Sequence, residues 1–289
     1  MGVTRREGEM AAMIRGLTRA GLGTKWTDEE LIRKAGEYGF GAVDFDPRGL
    51  IGEKGLDGAR RLLDETGVRL GAIGLPVEWR KSDADFRAGL PQLAEIAEAA
   101  AALGGTRCCT YILPSTDEPA ARFMAKAVVR LRACAELLGA YGIRLGLEFV
   151  GPHHLRTAWR HPFIWTIEET LEFAAAIGTP NVGLLVDVYH VVTTGAGPDD
   201  IRRLDKRQVV HVHINDAKNL PVHELRDNDR LITGEGVLDL KGFVDALRDI
   251  GYDGPVAQEV LTPAPPEEDP EELIKRTKAG FDRLFGLEE

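Results

Sequence analysis

The chain has 289 residues, 44% of them hydrophobic, and 36 basic against 46 acidic residues give a net charge of −10. The apolar share is enough for a large core, whereas the acidic balance excludes a generic nucleic-acid or anionic-membrane surface, which needs a basic face. No stretch approaches the ~18 apolar residues of a membrane-crossing helix.

Arg5 and Arg6 are followed by charged and polar residues where a leader peptide would need its apolar stretch. Three cysteines, two of them adjacent at Cys108 and Cys109, make no disulfide framework, and a reduced cytoplasmic setting is expected.

Read in chain order, the apolar pattern predicts eight rounds of strand and helix. A weak first strand at 12–17 leads to a helix at 27–38, with Thr27 as its cap and acids in its first turn. A strand at 42–45 and a helix at 52–66 follow, then a strand at 68–75 with its helix at 84–103. The fourth strand, 107–113, precedes a helix over 117–141 that Gly142 stops. Four further strands, at 143–149, 182–187, 209–214 and 255–260, alternate with helices at 166–177, 198–204, 238–250 and 268–285. Short runs rich in Val, Ile and Leu between helical segments read as buried parallel strands.

Eight alternations favour a closed (β/α)8 TIM barrel, one domain over residues 1–289, rather than an open sheet. An open doubly wound sheet would carry a glycine-rich phosphate loop after its first strand, and Gly21-Leu22-Gly23-Thr24 is too short a signal. Two long loops, 150–165 and 215–237, would cover the mouth of the barrel.

Glu148, Asp187, His213 and Glu259 each stand at the end of one of the last four strands. Active sites of such barrels lie at the strands' C-terminal ends, where neighbouring side chains converge. Three carboxylates and an imidazole at one mouth suit a divalent cation, and a charge there is costly unless it binds something. His211 shares the face of His213 by the period of two but lies one layer deeper, as a hydrogen-bonded histidine behind the ligand. Asp216 is placed to orient an imidazole or to contact substrate. His190 opens the loop after Asp187, within reach of a metal-bound ligand. Trp79 is a candidate to stack on a sugar ring, and Arg156 to bind substrate oxygens.

Glu148, Asp187 with His190 three residues on, His211-Val212-His213, Gly234-Glu235-Gly236 and Glu259 together resemble the xylose-isomerase-like superfamily of TIM barrels. That group includes ketose 3-epimerases, inosose isomerases and dehydratases, hydroxypyruvate isomerase and endonuclease IV. The resemblance spans essentially the whole chain, with its specific part between residues 148 and 259. It implies that Glu148, Asp187, His213 and Glu259 hold one divalent ion, with Mn²⁺ the expected metal and Mg²⁺, Co²⁺ or Zn²⁺ the alternatives. It also implies that His190 touches substrate.

The chain departs from the group where epimerases often carry an arginine six residues after the ligand histidine, for here stands Asn219. It also lacks the extra histidines of a trinuclear nuclease. The expected activity is therefore metal-dependent isomerisation or epimerisation of a ketose, keto-sugar or inosose. The metal would stabilise an enediolate, and Glu148 and Glu259 would move the proton. Elimination from the same enediolate, by a lyase or dehydratase, is the alternative. A non-catalytic sugar-binding barrel and a nuclease rank below both. The expected partner is a small carbohydrate or cyclitol, with no nucleic acid or membrane, and self-association is left open.

Overall fold

The structure, a computed structural model, describes residues 13–287, so the predicted start of the first strand at residue 12, together with Arg5 and Arg6, lies outside the described residues. The barrel strands are β1 (Ile14–Leu17), β2 (Ala42–Val43), β3 in two pieces (Arg69–Leu70 and Ile73–Gly74), β4 (Arg107–Ile112), β5 (Arg144–Phe149), β6 (Val182–Asp187), β7 (Val209–Ile214) and β8 (Pro255–Gln258). All of them pair in parallel, in the order β3-β2-β1-β8-β7-β6-β5-β4-β3. The first piece of β3 pairs with β2 and the second with β4, so the interrupted third strand joins the two ends of the sheet into a barrel. This is an α/β TIM barrel, as the alternation implies.

Helices wrap the outside: α1 (Asp28–Glu37), α2 (Pro47–Thr66), α3 (Asp83–Ala102), α4 (Ala120–Ala140), the short α5 (His153–Arg156), α6 (Ile167–Ile177), α7 (Val188–Thr193), α8 (Pro198–Arg202), α9 (Leu240–Asp249) and α10 (Pro270–Phe285). Three of them start with a reciprocal capping box written in the sequence, Thr27/Glu30, Ser82/Asp85 and Thr166/Glu169, each satisfying two backbone N–H groups that the helix leaves unpaired. Apolar stripes such as Leu31, Ile32 and Ala35 of α1 face the sheet and are buried. Among the described residues no helix is long and apolar enough to cross a membrane.

Departures from the pattern are local. Helix α2 begins at Pro47, capped by Asp46, five residues before the prediction, and tolerates a kink at Gly55, whose φ of 69° only glycine adopts without strain. The long loop at 150–165 is partly ordered by α5 and by His161–Pro162, which pairs antiparallel with Ser115–Thr116. Helix α7 replaces the loop expected after Asp187, because the Asp187 carboxylate accepts from the Tyr189 N–H at 2.7 Å and caps a new helix. His190 is therefore helical.

Trp79 corrects an expectation. It is 0% exposed, stacks on Phe123 at 5.9 Å and donates its indole N–H to Thr110 Oγ1 at 3.0 Å, so it packs loop against barrel and cannot stack on a ligand. Trp79→Phe should lower stability by roughly 1–2 kcal/mol through the lost hydrogen bond and volume. Denaturation midpoints against substrate KM check this: a KM change with unaltered stability would restore the stacking role.

Candidate metal centre

β5 to β8 are neighbours in the barrel, and their C-terminal ends bring the four strand-end groups together. One ligand atom each from Glu148, Asp187, His213 and Glu259 lies within 4.8 Å of the others. His213 and Asp187 are register partners on adjacent strands. Glu259 follows β8 directly and is tied to β7 by its N–H, which donates to the Ile214 carbonyl at 3.0 Å. His213 Nδ1 stands 3.6 Å from Glu148 Oε1 and 3.5 Å from Glu259 Oε2, with no hydrogen-bond partner of its own.

Asp44, at the C-terminal end of β2, decides what that nitrogen is. Its Oδ2 accepts from His211 Nε2 at 2.8 Å and lies 3.2 Å from His213 Nε2. A carboxylate on Nε2 keeps the proton there, which leaves the Nδ1 lone pair of His213 aimed among carboxylates. Glu148 Oε1 is likewise buried and unpartnered. A buried lone pair facing buried carboxylate oxygens is repulsive unless a ring proton or a cation stands between them, and a nitrogen and three carboxylates converging in this way fit a divalent ion with oxygen and nitrogen ligands. His211, fully buried behind His213 with the rings 5.2 Å apart, occupies the deeper layer that strand period two assigns it.

Gly71 makes room for this device: a Cβ there would come within 2.2 Å of Asp44 Oδ1, which only glycine avoids. His211 and His213 hold the Asp44 carboxyl down at about 2 against the opposing effect of its burial. Asp44→Asn should therefore leave all four metal-side groups in place and still weaken ion binding ~10–100-fold, the usual cost of removing a carboxylate behind a ligating imidazole. Calorimetric titration of the stripped protein checks this, and unchanged affinity would mean that Asp44 does not set the ring.

Arg230, from the long loop after β7, is with Asp44 a group that sequence reasoning missed. Its Nη1 donates to Asp187 Oδ2 at 2.7 Å and to Glu259 Oε2 at 3.0 Å, while Nη2 donates to Asp227 Oδ1 at 2.8 Å and lies 3.2 Å from His190 Nε2. His190 is 2% exposed and stands behind this guanidinium, with its Nδ1 facing the Gly151 N–H. Nothing in the local pattern of a 23-residue loop marks which side chain turns inward; the acidic cluster itself selects a cation.

Two further expectations are corrected. Asp216 is buried and accepts from the N–H groups of Ala217, Gly236 and Leu238, so it organises the loop over the site instead of reaching a ligand. Arg156 donates to the carbonyls of Gly151 and Thr193 and stacks over Trp165 at 4.0 Å, bracing α5 against α7. Both satisfy loop backbone, the common task of polar groups under a long loop.

The two glutamates differ electrostatically. Burial, and then the charge of Glu259, raises the Glu148 pKa, against the lowering by His213. Burial opposes ionisation of Glu259 too, but His213 and then Arg230 hold it well below the usual carboxylate range. In front of the pair opens a cavity of about 320 Å³, lined among others by Glu148, His213, Glu259, Thr18, Thr110 and Tyr111.

Residues 32–280 match the family profile of the xylose isomerase-like TIM barrel. The chain belongs to that family. It is 31% identical over 150 residues to an inosose isomerase of Bacillus velezensis, covering 51% of this chain and 50% of that protein. The chain thus matches about half the length of the curated inosose isomerases it resembles. A ketose 3-epimerase of Arthrobacter globiformis is 27% identical over 255 residues, covering 82% of this chain and 81% of that one. Among solved structures, a xylose isomerase domain protein from Alicyclobacillus acidocaldarius superposes with a TM-score of 0.87 at 33% identity, covering 96% of this chain and 99% of that chain.

Proposed function

We propose that this protein is a divalent-metal-dependent isomerase or epimerase of a ketose, keto-sugar or inosose. The observation that carries the reading is the pair Glu148 and Glu259, whose carboxylates stand 3.6 and 3.5 Å from His213 Nδ1 and open on one cavity. Similarity to a ketose 3-epimerase over four-fifths of the chain, and to inosose isomerases over half of it, supports the class. Glu148, Asp187, His213 and Glu259 would hold the ion, with Mn²⁺ the metal of choice. When bound, the ion supplies Lewis-acid stabilisation of negative charge on the substrate's carbonyl oxygen.

The chain's own residues do the rest. Glu259, ionised at rest, is ready to take the proton α to the carbonyl, and Glu148, the more readily protonated, to deliver one on the opposite face. Two carboxyls whose environments drive their pKa values apart are suited to divide the acid and base roles. Arg230 fixes Glu259 and Asp187, and Asp44 fixes His213, so the groups are aimed before substrate arrives. If the deprotonated substrate carries a β leaving group, the same step ends in elimination.

Incubating the Mn²⁺-loaded protein with ketoses, inososes and 3-keto-glycosides in D₂O, followed by NMR, tests the reading. Solvent deuterium at the α carbon is expected, with an epimer or isomer as product. Loss of water would move the assignment to a lyase, and absence of exchange across the panel would sink it.

A further inference from the structure

We propose that the end of the barrel opposite the metal centre holds a binding site for a dianionic phosphate group, gripped by Arg107, Arg144 and Lys206. It uses none of the residues of the isomerase reading and stands or falls apart from it.

Arg107 and Arg144 are the first residues of β4 and β5 and are register partners across that parallel pair. Two and four positions further on, the partners are Cys109 with Gly146 and Tyr111 with Glu148, and the last pair lines the mouth cavity. The period of two therefore turns both arginines into the barrel at its lower end. There they reach the start of β7. Arg107 Nε donates to the Val210 carbonyl at 2.9 Å, and Arg144 donates to the carbonyls of Val209, at 3.2 Å, and Arg207. These bonds fix the two guanidiniums without neutralising them. Among the described residues neither has a carboxylate partner, and Arg107 Nη2 and Arg144 Nε have no acceptor. Burial, and then the charge of Arg107, lower the Arg144 pKa. Bracing β7 accounts for the carbonyl contacts. It does not account for two uncompensated cations side by side in a chain of 46 acidic and 36 basic residues.

A cavity of about 180 Å³ opens onto the pair, and Lys206, Arg207 and Asp253 bring the other charges of its wall. Arg207 is paired with Asp205 at 2.6 Å, whereas the exposed Lys206 has no ion pair among the described residues. Three cations without an ion pair against one carboxylate leave two positive charges for a ligand. Planar guanidinium forks match the oxygens of a phosphate dianion. A larger cavity of about 730 Å³ shares Lys206, Tyr252 and Asp253 and adds the apolar Ile14, Phe285 and Leu287. Its own arginines, Arg15 and Arg248, are paired with Asp282 and Asp245, so the phosphate belongs to the smaller cavity. The larger one has room for the organic part of a phosphomonoester.

The test is calorimetric titration of the full chain, Mg²⁺-loaded and metal-stripped, with inorganic phosphate, AMP and chloride at constant ionic strength, beside melting temperatures. Phosphate or AMP should bind more tightly than chloride and raise the melting temperature, with or without the metal. Tighter AMP assigns the group to a phosphomonoester seated across both cavities; phosphate at least as tight assigns the free ion; either supports the site. Arg107→Gln and Arg144→Gln should each weaken that binding on the order of 10–100-fold, as charge-assisted hydrogen bonds are lost. Should these variants fail to fold, Lys206→Gln decides, since Lys206 is exposed: a loss of about 2–5-fold is expected. Arg207→Gln, which removes a cation already paired, should change little. Binding no tighter than chloride, binding that requires the metal, or binding indifferent to Arg144→Gln and Lys206→Gln would overturn the proposal.

Discussion

Glu148→Gln and Glu259→Gln should each abolish exchange of the substrate's α-proton with solvent while the protein stays folded. Each removes one half of a proton-transfer pair, and a positioned acid or base contributes ~10²–10⁴-fold. The two variants should differ in their side effects. Glu259 also accepts from Arg230 and faces His213, so neutralising it takes one carboxylate charge from a buried guanidinium and should lower stability more than neutralising Glu148, whose Oε1 has no hydrogen-bond partner. Metal content must be measured beside rate, since both are candidate ligands. Near-full exchange in either variant with its metal retained would remove that residue from the mechanism.

The second large effect concerns His213 and pH. Burial by itself would lower its pKa, but Glu259, Asp44 and Glu148 outweigh burial and raise it well above 6.5 in the metal-free protein. A raised histidine pKa stabilises the fold fully below the unfolded-state value, and that contribution is lost as pH rises through the folded-state value. Ion binding needs the neutral ring, so it should release a proton, and affinity should fall as pH drops. The gap in melting temperature between loaded and stripped protein is therefore expected to widen from about pH 6 to about pH 8.5. It should correspond to roughly 2–3 kcal/mol at the upper end with the ion at ~100 times its Kd. His213→Ala should lose both the ion and the pH dependence, whereas His211→Gln should keep the ion stoichiometry. A gap that does not change with pH, or equal metal loss in both variants, would mean that the orientation of β7 is not as described.

The barrel and the four strand-end groups were legible because both follow from short-range periodicity. Apolar runs alternating with capped helical stripes prescribe parallel strands wrapped by helices, and a polar residue closing each of four consecutive runs is carried to the mouth whatever the loops do. The two-residue repeat also placed His211 beneath His213, because strand side chains alternate by geometry alone.

Asp44, Arg230 and the real duties of Trp79, Asp216 and Arg156 were decided only by the tertiary structure. Asp44 meets His211 across 167 residues of sequence, through barrel closure that no window along the chain displays. Whether a loop side chain turns to the site or to its own backbone depends on which N–H and carbonyl groups are left unsatisfied nearby. Asp216 was drawn to three N–H groups and Arg156 to two carbonyls. Arg230 was drawn inward because acids from β6 and β8, joined by Asp227 of its own loop, needed a cation. Periodicity specifies where a side chain leaves the backbone; the field and the unpaired polar groups it meets specify where it ends.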